Sequence, residues 1–290
     1  MVNSHRLSTF VEESTLSIQC RVCSSELKFY VRKNDHDVMK CVVCGFGQVN
    51  VTAAEISDFY DKAYFSGEKA HFEQVENADA PRYHRYWIEK NLDRISKDHK
   101  LRVLEIGPGL GAPIAGYLRR DHPEIEFAAI EISDYASERL EARGFEIHRG
   151  RVTDTKTLHK CRAKYDLIFG TEVIEHDPEP HGFIQAVHDM LKPGGWAAFT
   201  TGNIDGGMSR WKKEEWYYLD PPAHVSYFNP RSVKQLFGSE GFEKVSVGCY
   251  GFNYIELKLK THLPGILLLA HLSKISTGMS IAAQRAISSE

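Results

Sequence analysis

With 290 residues, 42% apolar and 26% charged, the chain has the composition of a soluble globular protein with enough apolar residues for a sizeable core. Its formal net charge of -3 argues against a dominant electrostatic grip on nucleic acid, and no run approaches the roughly 20 apolar residues that span a bilayer. Six cysteines, four of them in two C-x-x-C pairs, suit a metal site in a reducing compartment better than a disulfide framework. The opening stretch MVNSHRLSTFVEES lacks the apolar segment of a secretory signal, so a cytoplasmic protein is expected.

Residues 1–17 carry no strong pattern. Cys20, Cys23, Cys41 and Cys44 then give the spacing C-x2-C-x17-C-x2-C, which fits a four-thiolate zinc site. Two knuckles of this kind complete a tetrahedron, leave no open position for substrate, and so point to a structural Zn²⁺. Leu27 to Val31 and Val38 to Val42 are expected to form a hairpin between the pairs, with Asn34 to Asp37 as its turn. The expected domain plan is a leader and zinc module over 1–50, a helical linker or cap over 51–98, and a main domain over 99–290. The main domain carries an insertion at about 203–228.

In the linker, Ala54 to Tyr64 has helical spacing, as does Arg82 to Ile95, where Tyr83, Tyr86, Trp87, Leu92 and Ile95 are expected to face inward. Tyr64 has two readings, closing over a ligand or packing on the sheet; Tyr60 is read as packing.

Leu101 to Gly111, LRVLEIGPGLG, is a short apolar run ending in Glu105, followed by Gly107, Gly109 and Gly111. A buried strand entering a tight turn before a helix presents unpaired N–H groups and the positive end of a helix dipole, which suits a nucleotide-type ligand. Ala112 to Arg120 reads as that helix and Glu126 to Ile132 as the next strand. Glu131 falls at the ~20-residue distance from which a carboxylate reaches ribose hydroxyls. Ser133 and Asp134 cap a helix to Arg143; Phe145 to His148, Tyr165 to Gly170 and Trp196 to Thr201 are further strands. Alternating strands and helices imply a parallel sheet whose ligand edge gathers Glu105 to Gly111, Glu131, Asp154 and Thr171 to His176.

GxGxG alone is weak. Together with the acids before the glycines and at the end of strand two, YDLIFGTEVIEH at the end of strand four and LKPGG, whose Lys192 to Gly195 read as the turn into strand five, the set resembles the class I S-adenosylmethionine-dependent methyltransferases. Within that class it is most similar to the group of ubiquinone-type O-methyltransferases and sugar methyltransferases, here with an N-terminal zinc-ribbon module. The resemblance covers about Leu101 to Gly241 and implies an α/β, Rossmann-like seven-stranded, mostly parallel sheet with an antiparallel edge strand, plus a small zinc-binding β module.

The resemblance further implies an S-adenosylmethionine site. Gly107, Gly109 and Gly111 would line the methionine and ribose, Glu105 would lie beneath the ammonium, and Glu131 would bind the ribose hydroxyls. Ile132 would pack on the adenine, Thr153 or Asp154 would meet its amino group, and Thr171 and Glu172 would lie beside the methyl donor. Methyl transfer from a sulfonium asks mainly for orientation and removal of the nucleophile's proton. His176 and His224 stand where this fold places chemistry, each as a base or as a merely structural residue, with Tyr227 as a possible helper. The Trp- and Tyr-rich stretch from Trp211 to Tyr218 reads as a substrate cover. Sugar C-methyltransferases carry an acid just before this histidine; Ala223 occupies that place, which favours O- or N-methylation.

Asn229 to Glu240 reads as a helix with Asn229 as cap and Pro230 at its first position. Phe242 to Tyr250 and Met279 to Ala286 read as an edge pair of strands. Residues 254–275 between them are apolar with nearby lysines and histidines, and either pack internally or form a peripheral membrane contact. The expected function is methylation of a small-molecule acceptor: a sugar, a sugar-bearing or a lipid-like intermediate. The competing readings are an RNA methyltransferase that grips its substrate through the zinc module and a non-catalytic scaffold that binds the cofactor.

Overall fold

The central sheet is built from apolar runs that only a two-sided core can bury. In β7 (Tyr165–Thr171), Leu167, Ile168 and Phe169 are fully buried, as expected of a parallel strand covered by helices on both faces. The computed structural model describes residues 19–51, 79–251 and 276–287. The expected helix at 54–64 with Tyr60 and Tyr64, the leader and the 254–275 segment lie outside these residues.

Three short strands come first: β1 (Leu27–Lys33), β2 (His36–Cys41) and β3 (Gly47–Val49). After α1 (Arg82–Leu92) the chain alternates as expected through β4 (Arg102–Ile106), α2 (Pro113–Asp121), β5 (Glu126–Glu131), α3 (Asp134–Ala142), β6 (Glu146–Arg149), α4 (Thr155–Cys161) and β7. A 3-10 turn at Ile174–His176 leads to α5 (Pro180–Met190) and β8 (Leu191–Gly202). Then follow α6 (Gly207–Lys212), β9 (Ser226–Tyr227), α7 (Pro230–Ser239), β10 (Phe242–Gly251) and β11 (Ser276–Arg285). The seven-stranded sheet has the order β10-β11-β8-β7-β4-β5-β6; the strands from β6 to β8 are parallel, and β11 runs antiparallel between β8 and β10.

Helices start where the sequence places caps. Ser133 Oγ accepts the Ala136 N–H, and Asn229 and Ser232 form a reciprocal capping box at the start of α7. Two expectations are corrected. Tyr86 was expected to face inward but is 67% exposed; α1 buries Trp87, Ile88 and Leu92, and Tyr86 falls one position off that stripe. Lys192 to Gly195 is a bulge inside β8, because Tyr165 pairs with Leu191 and Leu167 with Trp196. A Cβ on Gly195 would sit 2.9 Å from the Lys192 carbonyl oxygen, so only glycine lets the bulge fold back this tightly.

The second sheet, β1-β2-β3-β9, joins the cysteine module to the 203–228 insertion, since Gly47 pairs with Tyr227 and Gln48 with Ser226. Val38, Val49, Ile204, Trp216, Leu219 and Val225 share one buried cluster beneath it. Lys40 pairs with Asp205 at 2.7 Å, and Asn229 Nδ2 donates to the Cys44 carbonyl at 3.0 Å. Trp216 and Tyr218, expected to cover substrate, are buried in this seam; Trp211 and Tyr217 are exposed. Among the described residues no helix is long and apolar enough to cross a membrane.

Candidate active site

The turn after β4 follows from its glycines. Gly107 and Gly109 have φ of +64° and +59°, and Ala112 takes +42° just before α2. A Cβ on Gly107 would come within 2.9 Å of the Val173 side chain, so any other residue would intrude on the turn after β7. Gly107 donates its N–H to the Ile130 carbonyl at 2.9 Å, which draws the turn against the end of β5. Glu131 lies there, 3% exposed, accepting the Gly109 N–H at 3.2 Å through Oε2 and the Ser133 N–H at 2.9 Å through Oε1. Burial pushes its carboxyl up, opposed by these N–H donors.

Glu105 ends β4 beneath the turn, 1% exposed, and its Oε2 has no hydrogen-bond partner. Burial pushes its carboxyl up to about 8, and the neighbouring Glu131 adds to the shift.

The remaining expected cofactor contacts divide. Ile132 is half-buried just past β5, open for apolar packing, and Gly111 is buried. Asp154 is exposed, and its carboxylate accepts the Arg151 N–H at 2.7 Å; Thr153 beside it is half-buried. Glu172 lies beyond Thr171 with φ of +53°, a conformation that costs a non-glycine residue free energy and recurs at working sites. Its carboxylate accepts the Thr200 Oγ1–H at 2.9 Å. The surrounding protein mass and nearby Glu175 push it up to about 7, although the side chain remains open to solvent at the sheet edge.

His176 and His224 meet at this edge from separate segments, with ring centroids 4.8 Å apart. His176 Nδ1 lies 2.7 Å from the Ala223 carbonyl oxygen, and His224 Nδ1 lies 2.6 Å from that of Tyr218. A carbonyl only accepts, so in His224 Nδ1 carries the proton and Nε2 the lone pair; in His176 Nε2 also lies 3.1 Å from the Glu172 carbonyl oxygen, so both of its nitrogens face acceptors and the shorter contact favours the proton on Nδ1. Burial pushes His176 down, and burial with the neighbouring His176 pushes His224 down to about 3, so both rings are neutral at pH 7. Tyr227 is elsewhere. It packs in the seam with the cysteine module, and its hydroxyl donates to the His224 carbonyl at 2.7 Å, which makes it a positioning residue.

Sequence reasoning gave no site role to Glu175 or Thr201 and read Tyr218 only as part of a substrate cover. Glu175 is fully buried and accepts the Thr201 Oγ1–H at 2.9 Å; the Thr201 and Tyr218 hydroxyls are 3.0 Å apart. The signal was the E-x-x-E-H spacing of Glu172, Glu175 and His176, although the left-handed backbone at Glu172 and the 3-10 turn at Ile174–His176 leave Glu172 exposed and Glu175 buried. The Tyr218 ring lies flat on Gly202, where a Cβ would meet it at 2.3 Å.

The four expected metal ligands converge as well. Cys20 and Cys44 Sγ are 3.5 Å apart, Cys23 and Cys41 Sγ 3.4 Å, and all four lie within 4.8 Å of one another. Four sulfurs at ~2.3 Å from one Zn²⁺ stand about 3.8 Å apart, so the cluster fits a small zinc module. The Val22 N–H points at Cys20 Sγ and the Val43 and Cys44 N–H groups at Cys41 Sγ, each at 3.4 Å, as in knuckles that stabilise thiolates.

Strand order, glycine turn and the acids at the ends of β4 and β5 define a Rossmann-like methyltransferase fold. The comparisons with known proteins agree. Residues 79–247 match the family described as methyltransferase domain, and the chain belongs to that family. Among curated relatives it is 32% identical over 105 residues to a ubiquinone biosynthesis O-methyltransferase of Ruegeria pomeroyi, covering 36% of this chain and 42% of that one. It is 26% identical over 165 residues to the enzyme of the same name from Pseudomonas putida, covering 53% and 65%. The chain thus spans about half the length of the curated relatives it matches. A solved structure of Haemonchus contortus phospholethanolamine N-methyltransferase 2, with phosphomonomethylethanolamine and S-adenosylhomocysteine, has a TM-score of 0.55 at 14% identity. That match covers 83% of this chain and 62% of that one, and shows the shared fold.

Proposed function

We propose that this protein transfers a methyl group from S-adenosylmethionine to an oxygen or nitrogen nucleophile of a small molecule. The acceptor class is a sugar, a sugar-bearing or a lipid-like intermediate. The observation that carries the reading is the pair of buried carboxyls at the glycine turn, Glu131 tied to the turn's N–H groups and Glu105 with an oxygen left without a donor. These residues fit the cofactor: Glu105 answers its ammonium, Glu131 its ribose hydroxyls, Gly107, Gly109 and Gly111 the chain between, and Ile132 its adenine. Thr153, Asp154, Thr171 and Glu172 border the same edge, and Tyr64 completes the proposed set. When bound, S-adenosylmethionine supplies a methyl group on a sulfonium that leaves without further activation.

The chain's own task is to orient the nucleophile and take its proton. His224 is the proposed base, neutral at pH 7, beside His176 and the Glu175 carboxyl that would stabilise its imidazolium. His224→Ala is expected to reduce turnover by at least about 100-fold while cofactor affinity changes less than about threefold. Normal turnover in a methyltransfer assay would clear His224 of that role. Isothermal titration with S-adenosylmethionine tests the whole reading; an absence of binding would leave the fold as a non-catalytic scaffold.

Glu105 offers a second test. Its folded pKa, about 8, lies above the ordinary 4.5, so between those pH values the native state holds a proton that the unfolded state has lost. Its contribution to stability is therefore present below pH 4.5 and is lost as pH rises towards 8. Glu105→Gln is expected to raise the melting temperature at pH 8, by on the order of 2 kcal/mol in stability, with little effect at pH 5. The same substitution should weaken S-adenosylmethionine binding. Equal melting shifts at both pH values would contradict the assignment.

The cysteine cluster is proposed to hold a structural Zn²⁺ through Cys20, Cys23, Cys41 and Cys44, with no open position for chemistry.

A further inference from the structure

Glu175, His176 and His224 bring a carboxylate oxygen and two imidazole nitrogens within 4.8 Å of one another at the exit of β7. We propose that these three residues form a second metal site, distinct from the cysteine cluster, for a divalent first-row cation. The part this cation plays in the reaction rests on the methyl-transfer reading above; the site itself does not.

Four observations support it. First, His224 donates Nδ1–H to a backbone carbonyl at 2.6 Å, which sets Nε2 as its lone-pair nitrogen, and His176 Nδ1 lies 2.7 Å from the Ala223 carbonyl, while its Nε2, 3.1 Å from the Glu172 carbonyl, would turn from that oxygen to the cation. Metal-ligating histidines are held in this way, with the far nitrogen bonded to a carbonyl or carboxylate that fixes tautomer and ring direction. Second, Glu175 is fully buried, and while its Oε2 accepts from Thr201, its Oε1 has no hydrogen-bond partner. A buried carboxylate oxygen without a donor is costly, and a coordinated cation removes that cost. Third, the ion-pair contact of Glu175 among the described residues is His176 Nε2 at 4.0 Å, so no lysine or arginine there takes the place of an ion.

Fourth, the ligands stand on a braced frame. Glu175 and His176 are adjacent in the 3-10 turn, and the Glu175 carbonyl accepts the Val225 N–H at 2.9 Å, which fastens the His224 loop to that turn. Ligand atoms about 2.1 Å from one ion stand roughly 3 to 3.5 Å apart, so a contraction of about an ångström at the widest pair seats a cation. Two imidazoles and one carboxylate with open positions suit Mn²⁺, Fe²⁺ or Zn²⁺ better than Mg²⁺ or Ca²⁺, which prefer oxygen.

Such an ion faces the acceptor side of the sheet edge, beside Glu172. An acceptor hydroxyl bound to it ionises more readily and is held in one orientation. The proton leaves to solvent, the oxygen forms its bond to the methyl carbon as the carbon–sulfur bond breaks, and the sulfonium becomes a neutral thioether. With the cation bound, His176 and His224 act as its ligands and the cation activates the acceptor; in the metal-free protein the proton falls to the His224 imidazole.

The test is a Mn²⁺ titration of full-length protein carrying one Zn²⁺ per chain, in the cysteine cluster, with free Mn²⁺ counted by electron paramagnetic resonance. One Mn²⁺ per chain is expected, and Glu175→Gln and His224→Gln should each weaken it by at least about 100-fold. Either variant suffices if the other fails to fold. Absence of bound Mn²⁺, or binding indifferent to both substitutions, would overturn the site. A parallel titration with S-adenosylmethionine separates the two readings. Cofactor binding without a Mn²⁺ site defeats this proposal alone, whereas a Mn²⁺ site without cofactor binding upholds it and defeats the methyl-donor reading.

Discussion

Glu131→Ala is expected to lower affinity for S-adenosylmethionine by at least about 100-fold. The side chain has two tasks that alanine cannot share. Its free lone pairs are the proposed acceptors for two ribose hydroxyls, and charge-assisted hydrogen bonds of this kind contribute about 1.5–3 kcal/mol each. It also receives the Gly109 and Ser133 N–H groups, so its loss leaves the glycine turn unbraced on the side facing the ligand. Glu131→Gln keeps one acceptor oxygen and should fall between the two. Calorimetry decides the matter, and unchanged affinity would end the ribose assignment.

The second large effect is expected from the cysteines. Cys44→Ser should abolish Zn²⁺ binding and lower the melting temperature by more than about 10 °C, because structural zinc contributes folding free energy directly. The damage should reach well beyond the knuckles. The cluster that buries Trp216 is shared between β2, β3 and the insertion, and β9 pairs with β3. Trp216, 2% exposed, therefore reports on the seam, and its fluorescence should shift to the red in the variant or in protein stripped by a chelator. Turnover should fall with it, since Val225 and Tyr227 brace His224 from this side. Cofactor affinity, set at β4 and β5, should change little. A variant that loses zinc yet keeps its fluorescence and melting temperature would contradict the shared seam.

The central sheet was legible because its signals are local. Each strand is an apolar run closed by a glycine or cap, and the acids of the cofactor edge lie at strand ends whose spacing follows from one βαβ unit. The cysteine cluster was legible for the same reason, since each knuckle sets its own geometry within four residues. What escaped depends on partners distant in sequence. Tyr227 read either as a helper near His224 or as an aromatic that simply packs, and its ring is taken by the module from the beginning of the chain. Trp216 and Tyr218 read as a substrate cover because aromatic composition does not reveal that Gly202 and β2 lie beneath them. Glu175 was overlooked beside Glu172 because the partners that bury it, Thr201 and Val225, come from segments distant in sequence. Tyr86 shows the smaller version of this limit: a shift of one position on a helix turns a ring from core to water.

The pairing of β3 with β9 also bears on how the chain is made. The Asn229 bond to Cys44 joins residues 185 positions apart, and Gly47 meets Tyr227 across a comparable gap. A ribosome therefore releases the cysteine hairpin long before the strand that completes its sheet exists. Closing so long a loop carries an entropic cost that local knuckle formation does not, so the seam belongs to the slow, late part of folding. Until then Val38 and Val49 wait with one side uncovered. The module made first is finished last.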